Sequence, residues 1–516
     1  MARPRALFDM RRGEGVTLAA LVLFGLALFV FPLGLLLRVG LSEGGVPGLG
    51  PLVDALGSRS VQRAAWNSLE SSAVSALVAT LIGTVLALVM GLTDVRRKGV
   101  WVFLLLLPMM IPPQVTAIAW VQALGPGSPV LTTLGIAPPA GSPHPLHTPF
   151  GVMLLLTVQH MPLVFLVVLA ALKSLPREMV EAARIAGARP VRLLRRILLP
   201  LLAPTLVAGF MLAFVSALGN FGIQAILGIP ARYTTLPVLI WRRLSSFGPS
   251  VLTDMAVIAI ILAAVACLAI AVQMWLARRM RAQVTGPPQP PLQIMLGRGR
   301  PLVAGALFVY VAATLLLPLA ALTATALVRT YGLPLTPDTM TLSNFAEILF
   351  RQASTLRAFL NSTLTAGAAA AVLAGVSVLI AYFLGRAAWL PRRVGTAFAT
   401  LADLGYAIPG LVISVAFILA FIRPLPVIGL SLYNTLGIIF LAYLTAFLSI
   451  ILAIINVLPI PALDGGHVMF LFYEILSGQK PSDKFLEYAQ VAGMLILLAI
   501  LVYANGNDIV KLFTNQ

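Results

Sequence analysis

The chain has 516 residues, of which 59% are hydrophobic and only 10% are charged. A soluble domain of this length could not bury so much apolar surface, so the composition excludes an ordinary soluble enzyme and favours a membrane protein. The formal net charge of +18 is also found in nucleic-acid-binding proteins. Here the cations lie in short segments between apolar runs, where Lys and Arg orient membrane helices. We therefore expect membrane lipid, and no nucleic acid, among the partners.

Apolar runs along the chain predict an all-α, polytopic membrane protein with about 11 transmembrane helices. About 20 helical residues cross the hydrocarbon layer, and lipid requires each backbone polar group to be satisfied within its own segment. The first run is too long for the apolar core of a signal peptide, so we interpret it as a span. The predicted spans are 16–38, 68–92, 100–123, 149–173, 201–228, 252–277, 301–327, 362–386, 394–422, 433–457 and 485–503.

Basic residues occur in alternate loops. They cluster in the N-terminal segment, after the second, fourth and eighth predicted spans, and in the segment after the sixth. Because short cytoplasmic loops carry the excess of Lys and Arg, this predicts a multi-pass protein of the bacterial inner membrane with a cytoplasmic N-terminus. Arg242 and Arg243 count against this topology, since they fall in a predicted outer loop.

Two halves of the chain resemble one another. The stretch from Asn67 is similar to the stretch from Asn361, and each leads to an Arg-Arg pair and then to an Ile-Pro step, at Ile111 and at Ile408. Transporters are often built from two such repeats around a shared pathway. The Pro- and Gly-rich segment 283–300 is typical of a linker between them.

The segment after the fourth span carries the most specific motif. It consists of a Glu-Ala-Ala triplet, three residues, a glycine, nine residues and an Ile-x-Leu-Pro step. The glycine permits the turn that would end a short Ala-rich helix. The fixed positions are Glu181, Ala182, Ala183, Gly187, Ile197, Leu199 and Pro200.

This motif resembles the EAA loop of ABC importer permeases. In that family the loop forms a coupling helix that docks into the ATP-binding subunit and passes on its closure as a rigid-body movement. The resemblance implies that Glu181 makes a polar contact with cytoplasmic ATP-binding cassette subunits. It also implies a periplasmic substrate-binding protein as partner, and ATP hydrolysis on the partner subunit rather than by this chain.

A second stretch, 217–241, resembles fused two-half permeases for ferric iron, thiamine and related substrates. Within it, Asn220 and Phe221 lie in a predicted span. A polar group at this depth is costly, so Asn220 is a candidate for the transport pathway. A role for Asn220 as a hydrogen-bonding contact between helices is an equal alternative.

The second half departs from the fused-permease pattern. Alignment of the halves places the second EAA glutamate near position 467, which is His467, and no second EAA loop follows. The segment 445–513 instead resembles the C-terminal end of site-2-type (M50) intramembrane zinc proteases. The resemblance implies that Asp464, in a Leu-Asp-Gly motif, corresponds to a zinc ligand.

The other zinc ligands of that family come from an HExxH helix. The four histidines, His144, His147, His160 and His467, do not begin this motif. Asp464 would be one ligand without its partners, and no general base is present. We therefore expect no proteolysis by this chain alone, and no cofactor held by it.

Amino-acid usage changes near the same place. Residues 1–450 contain 30 Arg and 2 Lys, whereas residues 451–516 contain no Arg and 3 Lys. The sequence therefore predicts a chimera with a first permease half at 1–282, a linker at 283–300, a truncated second half at 301–446 and a protease-like tail at 447–516. The predicted function is import of ferric iron or a small organic ion, with coupling impaired by the missing loop. The alternative is an inactive fragment of a membrane zinc metalloprotease.

Overall fold

The computed structural model describes residues 16–17, 19–43, 46–139, 141–173, 185, 190–246, 248, 250–280, 294–386 and 408–422. The chain divides into two compact units. One consists of residues 37–358 and 409–415, and the other of 1–36, 359–408 and 416–516. The predicted spans 433–457 and 485–503 and the tail 447–516 lie outside the described residues, as do residues 283–293 of the predicted linker.

The described residues form helices joined by loops, and their one sheet is a short antiparallel hairpin of β1 (Ser42–Glu43) and β2 (Val46–Pro47). Up to residue 280 the helices are α1 (Phe31–Gly40), α2 (Gly50–Gly57), α3 (Arg59–Leu92), α4 (Lys98–Met110), α5 (Pro113–Leu124), α6 (Pro129–Thr133), α7 (Pro149–Lys173), α8 (Pro190–Leu193), α9 (Leu199–Leu218), α10 (Gly222–Gly228), α11 (Leu236–Leu244) and α12 (Val251–Arg279). The helices after residue 280 are α13 (Arg300–Val311), α14 (Leu317–Leu327), α15 (Ser343–Ala346), α16 (Ala353–Arg386) and α17 (Gly410–Phe421).

Seven of the described helical segments are long and apolar enough to cross a membrane. An eighth span is possible only as the pair α4 and Pro113–Thr133, which is bent by 101°. These eight segments correspond one to one with the first eight predicted spans. The prediction of an all-α, polytopic membrane protein is therefore confirmed.

Two predicted spans are not continuous helices. The span 100–123 breaks at Ile111 and Pro112, where two successive prolines, Pro112 and Pro113, remove backbone donors and the helix restarts. The span 201–228 ends at Leu218, and the short helix α10 follows the break. In both cases apolar composition continued across a backbone interruption, so hydropathy alone could not reveal it.

Helix α3 is the central packing element of unit 37–358. It packs against α7, α9 and α11. A Cβ atom placed on Gly83 would lie 3.0 Å from the backbone nitrogen of Phe165, so the backbones of α3 and α7 approach closely. Small residues favour such contacts between membrane helices, where lipid supplies little hydrophobic driving force.

The boundaries of several helices repeat along the chain. Helices α3 and α16 both have 34 residues, and a shift of 294 positions brings both ends into register. Helices α5 and α17 both have 12 residues and follow the two Ile-Pro steps with a shift of 297. These equal lengths agree with the predicted repeat.

Three π-helical turns share the same spacing to a proline. They cover Leu26–Val30, Leu194–Leu198 and Ala312–Leu316, and each ends two residues before a proline. A proline ring clashes with the carbonyl group four residues earlier, and in all three segments that carbonyl belongs to the middle residue of the turn. The wider turn relieves the clash without ending the helix.

The end of the predicted linker is attached to the loop after α3. The backbone N–H of Ile294 donates to the Leu92 carbonyl at 2.6 Å, and that of Leu296 donates to Asp94 Oδ1 at 2.9 Å. The Arg300 guanidinium also bonds the Asp94 carboxylate. These contacts, the Leu296 N–H foremost, lower the pKa of Asp94 below its ordinary value.

Candidate functional site

A buried polar face runs along the first half of α3. It consists of Asn67, Ser68, Ser71, Ser72 and Ser75. The Asn67 amide donates to the Thr234 carbonyl at 2.8 Å, and Ser68 Oγ accepts the Leu236 N–H at 2.8 Å. The Asn-Ser pair that marks the repeat therefore fixes the segment between α10 and α11 onto α3.

The same segment carries a second group of polar contacts. The Tyr233 hydroxyl lies 2.9 Å from both the Asn67 carbonyl and Glu70 Oε2, and donates its single hydrogen between them. Burial and the Glu70 carboxylate raise the pKa of Tyr233, so it stays protonated. Thr235 Oγ1 donates to Gln224 Oε1 at 2.5 Å, which ties α10 to the start of α11.

The break between α9 and α10 packs closely against residues at the two Ile-Pro steps, namely Pro409 and Gln114. A Cβ atom on Gly219 would lie 3.0 Å from Cβ of Pro409, and one on Gly222 would lie 2.9 Å from the backbone nitrogen of Gln114. The approach at Gly222 leaves no room for a Cβ atom, and the approach at Gly219 is tighter than most Cβ contacts. Three interruptions of the backbone thus meet in one place, which we name the break junction: 219–222, 111–114 and Pro409.

Non-helical backbone among membrane helices is tolerated where protein buries it or where it lines a cavity. Discontinuous helices are also a recurrent feature of substrate sites in transporters. The break junction is therefore the candidate functional site. Each Ile-Pro step is visible in the sequence, but their contacts with 219–222 are not, because these depend on packing between residues about 100 to 200 positions apart.

The two predicted pathway residues lie at this junction. Asn220 is buried, and its Oδ1 accepts the backbone N–H of Ile223 at 3.1 Å, so it caps the start of α10. Phe221 is half-buried, with its ring centroid 6.3 Å from that of Trp241. Asn220 was a candidate either for the transport pathway or for a contact between helices, and both roles required a buried polar group. The hydrogen bond that the structure shows for it is to a backbone N–H in the next turn of its own segment.

Three buried polar residues on α5 and α7 were missed by sequence analysis. Gln159, in α7, donates through Nε2 to the Ile111 carbonyl at 3.2 Å, and it is 6% exposed. Thr116 and Trp120 are also buried, on α5. Gln159 could have been singled out, since it is an amide inside an apolar run.

The predicted coupling loop is only partly described. Glu181, Ala182, Ala183 and Gly187 lie outside the described residues. Helix α8 begins at Pro190, whose fixed backbone angle suits the first position of a helix. The motif's other end is described by its three remaining positions: Ile197 lies in the π-helical turn, and Leu199 and Pro200 open α9.

Asp464 also lies outside the described residues. Among the residues that the structure describes, no group of three or more His, Cys, Asp or Glu side chains could hold a metal ion. His144 and His147 have ring centroids 4.5 Å apart. Both nitrogens of His144 are engaged, since Nδ1 accepts the Leu146 N–H at 3.1 Å and Nε2 lies 3.0 Å from the Val121 carbonyl.

Two protein families match the chain. Residues 80–282 match the binding-protein-dependent transport system inner membrane component, and residues 256–500 match peptidase family M50. The first match includes most of the second predicted span and everything described from there up to α12. The two matches overlap at 256–282.

Individual relatives show the same division. The "Probable ABC transporter permease protein y4fN" of Sinorhizobium fredii is 25% identical over 378 residues, which are 72% of this chain and 65% of the relative. The "Probable molybdenum ABC transporter permease protein" of Haloferax volcanii is 30% identical over 189 residues, 36% of this chain and 66% of the relative. The zinc metalloprotease RasP of Bacillus licheniformis is 44% identical over 77 residues, 15% of this chain and 18% of the relative.

The chain thus spans just under two thirds of the permease relatives and less than a fifth of this metalloprotease. One polypeptide therefore combines a region similar to the binding-protein-dependent transport system inner membrane component with a region similar to peptidase family M50.

Proposed function

We propose that this chain is the membrane permease subunit of an ATP-driven bacterial importer. The observation that carries the proposal is the complete EAA spacing from Glu181 to Pro200, which lies inside the region that matches the transport family. The helices that flank the loop, α7 and α9, both pack on α3 and on each other. A displacement of the loop would therefore reach the break junction through rigid helices.

The proposed assembly follows from this role. Cytoplasmic ATP-binding cassette subunits would dock on the EAA loop and hydrolyse ATP, and a periplasmic binding protein would deliver the solute. For the EAA loop to face the cytoplasm, the chain must lie in the inner membrane with its N-terminus on the cytoplasmic side. The distribution of Arg and Lys between loops supports that orientation.

The proposed substrate is ferric iron or a small organic ion, from the resemblance of residues 217–241 to fused permeases for such solutes. The relative from Haloferax volcanii carries molybdenum in its name, so molybdate belongs in the test panel. We further propose that the chain is a chimera with the domain boundaries predicted from its sequence. The RasP match extends over 77 residues, close to the length of the proposed tail at 447–516.

The test is reconstitution of the full chain in liposomes with its ATPase and binding protein. Uptake of ferric iron, thiamine and molybdate is measured together with ATP hydrolysis. Because only one coupling loop is present, we expect weak solute-stimulated turnover, and Glu181→Ala should remove what remains. Vigorous uptake by the unaltered chain would refute impaired coupling, and residual turnover unaffected by Glu181→Ala would refute docking through this loop.

The M50 match supports a second candidate, a membrane zinc metalloprotease fragment. The residues of this chain do not fit a complete zinc site, because Asp464 has no HExxH partner in the sequence. Elemental analysis of the purified chain decides between the candidates. We expect zinc far below one ion per chain; tight stoichiometric zinc that is lost in Asp464→Ala would favour the protease.

A further inference from the structure

On α5 and α7, which are joined at the Ile111–Pro112 break by the Gln159 bond, three buried polar atoms have no hydrogen-bond partner among the residues that the structure describes. They are Thr116 Oγ1, Trp120 Nε1 and Gln159 Oε1. Their side chains are only 7%, 9% and 6% exposed. The great majority of buried polar atoms in proteins are paired, and buried water supplies the partner where protein groups do not.

Gln159 and Thr116 lie beside the break, and Trp120 lies about two helical turns beyond it on α5. Gln159 Nε2 donates to the Ile111 carbonyl. This bond holds the Gln159 carboxamide against the break, and its Oε1 atom has no partner among the described residues. The Thr116 N–H donates to the Pro112 carbonyl at 3.0 Å, so Thr116 lies in the first turn of α5. Trp120 follows four residues later, on the same face of that helix.

The three unpaired atoms include both hydrogen-bond donors and hydrogen-bond acceptors. The Gln159 oxygen accepts, the Trp120 indole N–H donates, and the Thr116 hydroxyl does both. A water molecule needs two to four such partners, and they must be polar. The same set would suit a hydrogen-bonding solute that takes the place of water.

Fixed charge is rare around this place. Within α5, α9, α10 and α14, all of them described, there is no Asp, Glu, Lys or Arg. Helix α7 has Lys173 at its last residue, and its one histidine, His160, lies with Nδ1 2.7 Å from the Leu156 carbonyl. Contacts at the break are therefore hydrogen bonds between uncharged groups.

We propose that Thr116, Trp120 and Gln159 line a hydrated, uncharged chamber at the Ile111–Pro112 break, which holds water at rest and contacts the solute by hydrogen bonds during transport. The transport part of this inference rests on the proposed function, whereas the hydration part does not. It extends the candidate site beyond Asn220 and Phe221, whose described contacts are a helix cap and an aromatic ring.

Hydroxyl-radical footprinting of the full chain in lipid nanodiscs tests the hydration. Radicals formed from a buried water oxidise the side chain beside it, and mass spectrometry reads the oxidation of each residue. Met161, fully buried in α7, is the internal control, since its thioether is readily oxidised but lies in the packed core. We expect Trp120 to be oxidised severalfold faster than Met161.

The double variant Thr116→Val, Gln159→Leu removes two of the three polar groups with little change in volume. Oxidation of Trp120 should fall by more than half, while oxidation of Met161 and of the exposed Trp66 stays the same. Equal oxidation of Trp120 and Met161 in the unaltered chain would overturn the proposal. So would oxidation of Trp120 that is indifferent to the double variant.

Thermal unfolding of Thr116→Val alone gives a second measurement if the double variant does not fold. In a hydrated chamber the variant should unfold at a lower temperature, because it removes a hydrogen bond to water. In a dry site it removes an unpaired hydroxyl, so an unchanged or higher unfolding temperature would contradict the chamber.

The reconstituted importer separates this inference from the proposed function. If the complex transports, the double variant should lower uptake severalfold relative to Gly305→Ala, a change in open space on α13. Undiminished uptake would overturn the solute contact. If no solute is transported at all, the proposed function fails while the footprint still decides the hydration.

Discussion

A Cβ atom on Gly222 would lie 2.9 Å from the backbone nitrogen of Gln114 and 2.7 Å from its Cδ. The first residues of α10 are therefore pressed against the first residues of α5, at the break junction. Backbone cannot withdraw as a flexible side chain can, so this contact accepts no side chain.

Gly222→Ala should destabilise the protein by about 1 to 3 kcal/mol, the usual cost of inserting a carbon atom into a packed interior. Gly305→Ala is the matched control, because nothing lies within 4 Å of its added carbon and α13 is an ordinary helix there. The control should be neutral or stabilising by up to about 1 kcal/mol. Thermal unfolding in detergent measures both; equal unfolding temperatures would show that the approach is looser than described.

Asn67 and Asn361 occupy equivalent positions in the two halves but different surroundings. Asn67 is buried and bonds the Thr234 carbonyl, whereas Asn361 is only half-buried. Asn67→Ala removes a buried amide and leaves the half-buried Thr234 carbonyl without its donor, which should cost about 1 to 3 kcal/mol. Asn361→Ala should change stability by no more than about 0.5 kcal/mol. Denaturant titration compares the two, and a larger loss at Asn361 would be inconsistent with this asymmetry.

Asp94→Asn tests the attachment of the linker. The variant keeps the shape of the side chain but loses the charge that binds Arg300 and the Leu296 N–H. Because the pKa of Asp94 is lowered in the folded protein, the ionised form stabilises the fold at every pH above the ordinary value of 3.8. The variant should therefore unfold at a lower temperature at neutral pH.

The pH dependence of unfolding tests the same ion pair. As pH falls through the folded pKa of Asp94, the unaltered protein loses the stabilisation that the ionised carboxylate provides. Its unfolding temperature should then approach that of Asp94→Asn. A difference that persists at the lowest accessible pH would mean that the charge is not responsible. The exchanged pair Asp94→Arg with Arg300→Asp should recover part of the loss, since it restores opposite charges.

We expect His147 to contribute to the pH dependence of the unfolding temperature in weakly acidic solution. Burial, with His144 as a second cause, lowers the pKa of His147 below 6.5. The neutral ring is thus favoured in the folded state, and its contribution is present above pH 6.5 and lost as pH falls through the folded pKa. His147→Gln should flatten the fall in unfolding temperature between neutral pH and about pH 5, as thermal scans at stepped pH can show. An unchanged slope would exclude His147 as its source.

Local sequence determined much of this protein. Apolar runs of sufficient length must be satisfied as helices in lipid, so eight spans could be located from composition, and the spacing around Glu181 by itself indicated the transport family. The Ile-Pro step at Ile111 was visible in the sequence, but it served only as a marker of the repeat, and the predicted span ran across the break.

Tertiary structure alone decided what meets at the breaks. Gly219 and Gly222 have no distinguishing local signal, and glycine is favoured there because an added Cβ would lie 3.0 Å from Cβ of Pro409 and 2.9 Å from the backbone nitrogen of Gln114. Likewise, Gln159 is only an amide in an apolar helix until packing places it against the Ile111 carbonyl and leaves its oxygen unpaired among the described residues. Periodicity and composition report how a segment satisfies its own backbone, whereas a site depends on which distant segments share one small volume.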